Sequence, residues 1–97
     1  MDAVFVSNDQ MALGVLHYTH AHNICVPGDL AIVGFDDLAE SAYYSPSLTT
    51  LIQPLRELGR LAVKALLAQI EGDDDSFAGK TIVLKTELIV RDSTPKA

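Results

Sequence analysis

Residues 30–37, LAIVGFDD, carry the strongest indication of the fold: six uncharged residues end abruptly at Asp36 and Asp37. A short, unbroken apolar run of this kind is typical of a strand buried inside a parallel sheet. The preceding pair Pro27-Gly28 predicts the turn that leads into the strand. We therefore expect an α/β fold, with a mostly parallel sheet flanked by helices.

A second run of the same kind lies near the start of the sequence. Residues 3–7, AVFVS, are long enough for a fully buried strand and too short for a helix, so they predict a first strand. Asn8 follows it, and its side chain is suited to capping the N-terminus of a helix. That helix is predicted to end near His22 and Asn23, with Asn23 as a left-handed cap. A strand followed directly by a helix is the repeating unit of a layered α/β fold.

Three further segments follow residue 37. Residues 38–47 predict a short helical turn, residues 48–52 a third strand, and residues 81–90 a last strand. The last strand alternates only in part between apolar and polar residues, so we expect it at an edge of the sheet.

The clearest helix is predicted over residues 54–71, with Pro54 at its first position and Gly72 at its end. Its apolar stripe at helical spacing comprises Leu55, Leu58, Ala62, Ala65, Leu66 and Ile70. An acidic loop is expected at residues 73–76.

Charge is distributed unevenly along the 97 residues, whose formal net charge is −6. Residues 1–55 contain six acidic side chains and no Lys or Arg. Affinity for nucleic acid depends on clustered Lys and Arg, so this composition argues against a nucleic-acid binder. It argues equally against an anionic ligand or membrane surface docking on the first half. A neutral, hydroxyl-rich ligand fits better.

Composition also indicates the cellular compartment of the protein and the size of its hydrophobic core. Hydrophobic residues make up 48% of the chain, which is normal for one modest globular core. The single cysteine, Cys25, excludes an internal disulfide and is expected to behave as a small buried apolar residue. Because the sequence has no long apolar run and no basic N-terminal region, we expect a soluble, cytoplasmic protein.

Polar residues follow the first two predicted strands where each strand ends. Ser7, Asn8 and Asp9 follow the first strand, and Asp36 and Asp37 follow the second. Ligands of open parallel sheets bind beyond the carboxyl ends of the strands, which lie at one edge. Asn8 or Asp9 is therefore expected to face a common crevice with Asp36, and amide and carboxylate groups together suit a sugar or polyol. The alternative is that Asn8 is only a helix cap and Asp36 only the start of a loop.

Catalytic and metal-binding roles would each need further residues that the sequence does not offer nearby. Asp36 and Asp37 resemble a phosphoryl-accepting or metal-holding pair, yet the first 55 residues offer no Lys to assist. His17 and His20 have a spacing that suits a shared metal, but no Cys or acid beside them completes a set. We therefore expect neither an enzyme nor a metal or cofactor site.

Five blocks in order give the sequence a family resemblance. They are SNDQMALG (7–14), VPGDLAIVGFDD (26–37), PSLTTLIQP (46–54), LGRLAVKALL (58–67) and ELIVRDST (87–94). Together they resemble the lactose/galactose repressor (LacI/GalR) family of bacterial transcription regulators. The resemblance covers residues 2–94 and corresponds to the last third of such a protein, the C-terminal part of its effector-binding core.

This resemblance implies a partial type I periplasmic-binding-protein-like fold, in which two α/β lobes enclose an effector in the cleft between them. It places residues 1–48 in the C-terminal lobe and residues 49–54 in a crossover. Residues 54–72 would be a helix of the N-terminal lobe, and residues 81–94 would return to the C-terminal lobe. No DNA-binding domain is expected in this chain.

The resemblance also implies residue roles. Effector contacts carry over to Asn8 or Asp9, to Asp36 and to Gln53. Candidates for a homodimer interface are Leu13, Leu16, His17, Tyr43 and Tyr44.

The function that the resemblance implies is sensing of a small effector, a sugar by its chemistry, within a dimeric regulator. Such a protein would reach operator DNA only through a domain outside this chain. The alternatives are a periplasmic sugar-binding protein for transport and, third, an α/β enzyme that uses Asp36 or Asp37. Without the rest of the N-terminal lobe, the apolar stripe of the helix at residues 54–71 lacks a partner, so we expect the isolated chain to be marginally stable or oligomeric.

Overall fold

The computed structural model describes residues 2–72 and 81–96, so the acidic loop predicted at residues 73–76 lies outside the described residues. In chain order, the elements are strand β1 (Ala3–Phe5), helix α1 (Asp9–Ala21), strand β2 (Ala31–Asp36), a 3-10 helix (Ala39–Tyr43), strand β3 (Thr49–Ile52), helix α2 (Leu55–Glu71) and strand β4 (Glu87–Ile89). The predicted α/β class is confirmed, and the predicted helices and strands occur in the predicted order.

The four strands form one sheet in the order β1-β2-β3-β4. Strand β2 pairs in parallel with both β1 and β3, whereas β4 pairs antiparallel with β3 and lies at the edge. The sheet is therefore mostly parallel, with its last strand at the edge, as predicted. The strand predicted over residues 81–90 is shorter than expected, because only Glu87–Ile89 pairs with β3.

Helix α1 begins where the sequence predicts. The Asn8 side-chain oxygen accepts a hydrogen bond from the Met11 N–H at 2.8 Å, which satisfies one of the free amides of the first turn. Beyond its other end, Asn23 adopts a φ of +57°, the left-handed conformation predicted for it. The cap fixes where β1 gives way to α1.

The core lies between α1 and one face of the sheet. Its buried apolar residues are Val6, Ala12, Leu16, Ile32 and Leu48. On the opposite face, Phe5 is 60% exposed and makes a tilted contact with Phe35, with ring centroids 6.4 Å apart. The prediction that β1 is fully buried is wrong: Ala3 and Phe5 are exposed and Val4 is partly buried, because α1 packs on one face of the sheet. Cys25 is likewise exposed rather than buried, since it lies in the loop after α1.

The chain divides into two compact units. One comprises Met1–Gln53 with Thr86–Ala97, and the other comprises Pro54–Lys85. In the second unit, α2 ends at Gly72 with a φ of +69°, as predicted, and the helix contains no buried residue. One side of α2 forms a shallow apolar groove with Ile82 and Leu84. The assignment of these segments to the lobes of a larger protein stays a prediction.

Neither helix in the described part of the chain combines the length and the hydropathy that a bilayer crossing requires.

Candidate functional site

The carboxyl ends of the parallel strands β1 and β2 lie at the same end of the sheet, which we call the strand-end edge. The two strands are parallel, with Phe5 opposite Val33. Asn8 follows β1, three residues after Phe5, and Asp36 ends β2, three residues after Val33. The polar residues that follow the two strands therefore occupy the edge at which parallel sheets bind ligands.

Three of the predicted effector contacts are near this edge and half-buried: Asn8, Asp36 and Gln53. The Gln53 amide donates a hydrogen bond to Asp36 Oδ1 at 2.5 Å. Asn8 Oδ1 is occupied by the helix cap, so its NH2 group is the part of the side chain suited to donate to a ligand. The edge thus offers a carboxylate acceptor beside amide groups, which is the set of partners that a hydroxyl group needs.

The backbone at the end of β2 has an unusual conformation. Asp36 has a φ of +117° and Asp37 a φ of +53°. Non-glycine residues with positive φ cost about 1–3 kcal/mol and persist only when the surrounding structure holds them. Such residues cluster at ligand sites, so the strain at Asp36 singles out this position as a candidate for binding.

Asp9 has a different position from the one the sequence predicts. It is fully buried at the first turn of α1, and its carboxylate faces the protein interior. Its Oδ1 accepts a hydrogen bond from the Thr50 hydroxyl at 2.7 Å. Its Oδ2 accepts from the Leu38 N–H at 3.0 Å and from the Ser41 hydroxyl. A carboxylate so enclosed cannot contact a ligand in this structure, which leaves Asn8 as the candidate contact from the pair.

The buried Asp9 carboxylate is compensated without a cation. Its hydrogen bonds, together with the partial positive charge of the α1 N-terminus, replace the water it has lost. Gly34 leaves room for the Asp9 side chain. A Cβ at this position would lie 2.8 Å from Leu48 Cδ2 and closer still to the Asp9 carboxylate. Asp9 therefore ties α1, β3 and the 3-10 helix together beneath the edge.

Sequence reasoning did not identify Arg91 as part of this region. Its guanidinium donates to Asp37 Oδ1 at 2.9 Å and to the Leu48 carbonyl oxygen at 2.9 Å. The side chains of Arg91 and Asp37 are only 19% and 18% exposed. The residue stands in the block ELIVRDST, but no spacing rule connects it with an acid at the end of a distant strand.

The predicted interface residues differ in their exposure. Leu13, His17 and Tyr43 are exposed, and Tyr43 reaches 87%. Leu16 is only 3% exposed, so the structure places it in the core, because the inward face of α1 carries it against the sheet. Tyr44 packs partly against this core. Burial raises the pKa of Tyr44, and the negative charge of Asp9 adds to the effect.

His17 and His20 line a shallow depression of α1 together with Leu13 and Ser45. Across residues 2–72 and 81–96, no group of three or more His, Cys, Asp or Glu side chains converges in a way that could hold a metal ion.

Comparison with known proteins identifies the family. Residues 1–94 match the periplasmic binding protein-like domain. The chain is 41% identical over 91 residues to the HTH-type transcriptional regulator MalR of Clostridium butyricum, covering 94% of this chain and 26% of that protein. It therefore spans about a quarter of the length of this relative.

Solved structures agree. The chain is similar to the lac repressor dimer bound to operator and the anti-inducer ONPF, with a TM-score of 0.82 and 37% identity, over 96% of this chain and 32% of that one. It is also similar to the transcriptional regulator CelR in complex with cellobiose, with a TM-score of 0.82 and 35% identity, over 96% of this chain and 28% of that one. The predicted resemblance to LacI-type regulators is confirmed. The chain belongs to the periplasmic binding protein-like domain family, and it is similar to one part of LacI-type repressors.

Proposed function

We propose that this chain forms one wall of an effector site in a LacI-type transcription regulator, and that the effector is a sugar. The observation that carries the proposal is the strand-end edge, where the Asp36 carboxylate is held at positive φ beside Gln53, with Asn8 following the neighbouring parallel strand. A similar protein, CelR, has been solved in complex with cellobiose, which supports a sugar as the ligand class.

The chemistry of the edge supports a neutral, hydroxylated ligand. A carboxylate accepts hydrogen bonds from hydroxyl groups strongly, because one partner is charged. The Asn8 NH2 group can donate to a hydroxyl oxygen, and the Gln53 carbonyl oxygen can accept from a hydroxyl hydrogen. Residues 1–55 contribute no Lys or Arg to this unit, and the nearby Arg91 is paired with Asp37, so the Asp36 carboxylate would disfavour an anionic ligand. We propose no catalytic role for Asp36 or Asp37.

The regulatory mechanism that we propose is closure of two lobes around the effector. The edge described here supplies one wall, and the second wall and the DNA-binding domain lie in parts of the regulator outside this chain. A ligand that contacts both walls favours the closed arrangement, and it shifts the affinity for operator DNA only to the extent that it prefers one arrangement. The names of the relatives, which include a transcriptional regulator and a ribose operon repressor, favour a cytoplasmic regulator over a periplasmic transport protein.

Dimerisation is the second part of the proposal. Leu13, His17 and Tyr43 present exposed apolar and aromatic surface, which is the composition of a subunit contact. We propose that this surface pairs with a second copy in the full-length regulator. Tyr43→Ala is expected to raise the dimer dissociation constant in sedimentation experiments, and Tyr18→Ala, at an exposed position elsewhere on α1, serves as the control.

The test of the effector site uses the full-length regulator and calorimetric titration with maltose, cellobiose, lactose, ribose and xylose. We expect at least one sugar to bind, and we expect Asp36→Ala to weaken that binding strongly, because a charged acceptor is lost from the site. The control is Asp92→Ala, which removes an exposed carboxylate from the same unit. Equal affinities in the wild-type protein and Asp36→Ala, or no binding by any sugar, would contradict the proposal.

A further inference from the structure

The backbone that follows Asp36 is held by hydrogen bonds to the protein interior. We call residues 36–38 the strand-end turn. Within it, the Asp37 N–H donates to the Thr50 hydroxyl oxygen at 3.3 Å, and the Leu38 N–H donates to the Asp9 carboxylate at 3.0 Å. Both acceptors belong to fully buried residues, so these tethers anchor the turn to the interior of the first unit.

The third tether comes from the last segment of the chain. Arg91 donates through Nη2 to Asp37 Oδ1 at 2.9 Å and through Nη1 to the Leu48 carbonyl oxygen at 2.9 Å. Its own backbone N–H donates to the Thr49 hydroxyl oxygen at 2.8 Å, so the base of the side chain is fixed as well. Arg91 therefore links the strand-end turn to β3 with little freedom at either end.

From these contacts we infer that Arg91 is a positioning residue for effector binding, acting through Asp37. The inference rests on the proposed function of the Asp36 edge. Asp36 and Asp37 both have positive φ, a conformation that relaxes unless neighbouring contacts hold it. The ion pair between Arg91 and Asp37 supplies such a contact one residue from the carboxylate that faces the ligand.

The contacts of Arg91 favour a supporting role for this side chain over a direct contact with the ligand. Its Nη1 and Nη2 groups already point at protein acceptors, and four-fifths of the side chain is withdrawn from solvent. A supporting side chain of this kind fixes the geometry of a group that binds. In enzymes, misplacing such a group by about 1 Å can lower the reaction rate on the order of 100-fold. Arg91 thus affects affinity without touching the effector.

The test is a double-mutant cycle on Arg91→Gln and Asp37→Asn in the full-length regulator. The probe is whichever sugar of the panel above binds the wild-type protein, titrated well below the melting temperature of every variant. Each single variant is expected to weaken binding about tenfold or more, and the double variant to be no weaker than the worse single one. Arg91→Lys, which keeps the charge but loses the forked contact, is expected to fall between Arg91→Gln and the wild type.

The matched control is Lys96→Gln, which breaks the exposed ion pair between Lys96 and Asp92 in the same segment. It is expected to leave the affinity within about twofold, as is usual for exposed pairs. Independent, multiplying effects of Arg91→Gln and Asp37→Asn, or wild-type affinity in either, would overturn the inference.

A second readout needs no sugar and separates this inference from the proposed function. In Arg91→Gln, the backbone amide resonances of Asp36 and Asp37 are expected to shift or broaden, while those of α1 beyond its first turn stay in place. If the wild-type protein binds no sugar but these resonances move as expected, the proposed function fails and the positional role of Arg91 stands. If the resonances of the strand-end turn do not move, Arg91 does not hold it and the inference is wrong.

Discussion

Replacing Gly34 with alanine tests the packing beneath the site. A Cβ at this position would lie 2.8 Å from Leu48 Cδ2 and 3.3 Å from Asp9 Cγ, with a carboxylate oxygen closer still. Separations below about 3 Å force one of the neighbours to move. Leu48 is fully buried in the core, and the Asp9 carboxylate is held by hydrogen bonds from Leu38 and Thr50. Moving either residue therefore costs free energy of folding.

The magnitude follows from these contacts. Forcing an extra methyl group into a packed core costs about 1–3 kcal/mol. Displacing Asp9 also leaves a buried donor, the Leu38 N–H or the Thr50 hydroxyl, without its acceptor, at about 1–3 kcal/mol more. We therefore expect Gly34→Ala to lower the free energy of unfolding by about 2–6 kcal/mol.

The assay is urea denaturation of the purified protein, with Gly14→Ala as the matched control. Gly14 lies in α1 with no atom within 4 Å of its would-be Cβ, so alanine there is expected to stabilise the helix by up to about 1 kcal/mol. If Gly34→Ala unfolds at the same urea concentration as Gly14→Ala, the close packing of Asp9 against β2 is not present in solution.

Three further substitutions test neighbouring contacts. Asn8→Ala is expected to cost about 1 kcal/mol of stability through loss of the α1 cap, and Asn8→Asp to restore most of it, measured by urea midpoints. Thr50→Val removes the donor to Asp9 and the acceptor for the Asp37 N–H, so it is expected to cost about 2–3 kcal/mol, with Thr50→Ser retaining most of the stability. Tyr44 is expected to ionise above the usual pKa of tyrosine, and Glu40→Gln to lower that pKa, as followed by phenolate absorbance. Because the folded-state pKa is the higher one, this contribution to stability is present below the unfolded-state pKa and is lost as the pH rises through the folded-state value.

Local sequence patterns predicted the elements well. The apolar run at residues 30–35 matches the core of β2, Asn8 caps α1, and Gly72 ends α2 in the left-handed conformation. Each of these features depends on residues near one another in the chain, so a periodicity or a cap residue suffices to detect it.

Features that depend on distant contacts were predicted less well. Asp9 follows a strand end as Asn8 does, and only the fold shows that its carboxylate turns inward towards Thr50. Leu16 was expected at a subunit surface, but the direction in which α1 packs on the sheet places it in the core. Arg91 was missed for the same reason, since its partner Asp37 is distant in sequence and becomes a neighbour only when β4 returns to β3.

The most direct test of the central claim is a crystal structure of the full-length regulator with the sugar that binds it. We expect hydroxyl groups of the sugar within hydrogen-bond distance of the Asp36 carboxylate, with Asn8 or Gln53 as a second contact and the Asp9 carboxylate still hydrogen-bonded to Thr50. A sugar bound away from the carboxyl ends of β1 and β2 would contradict it, however tightly that sugar binds.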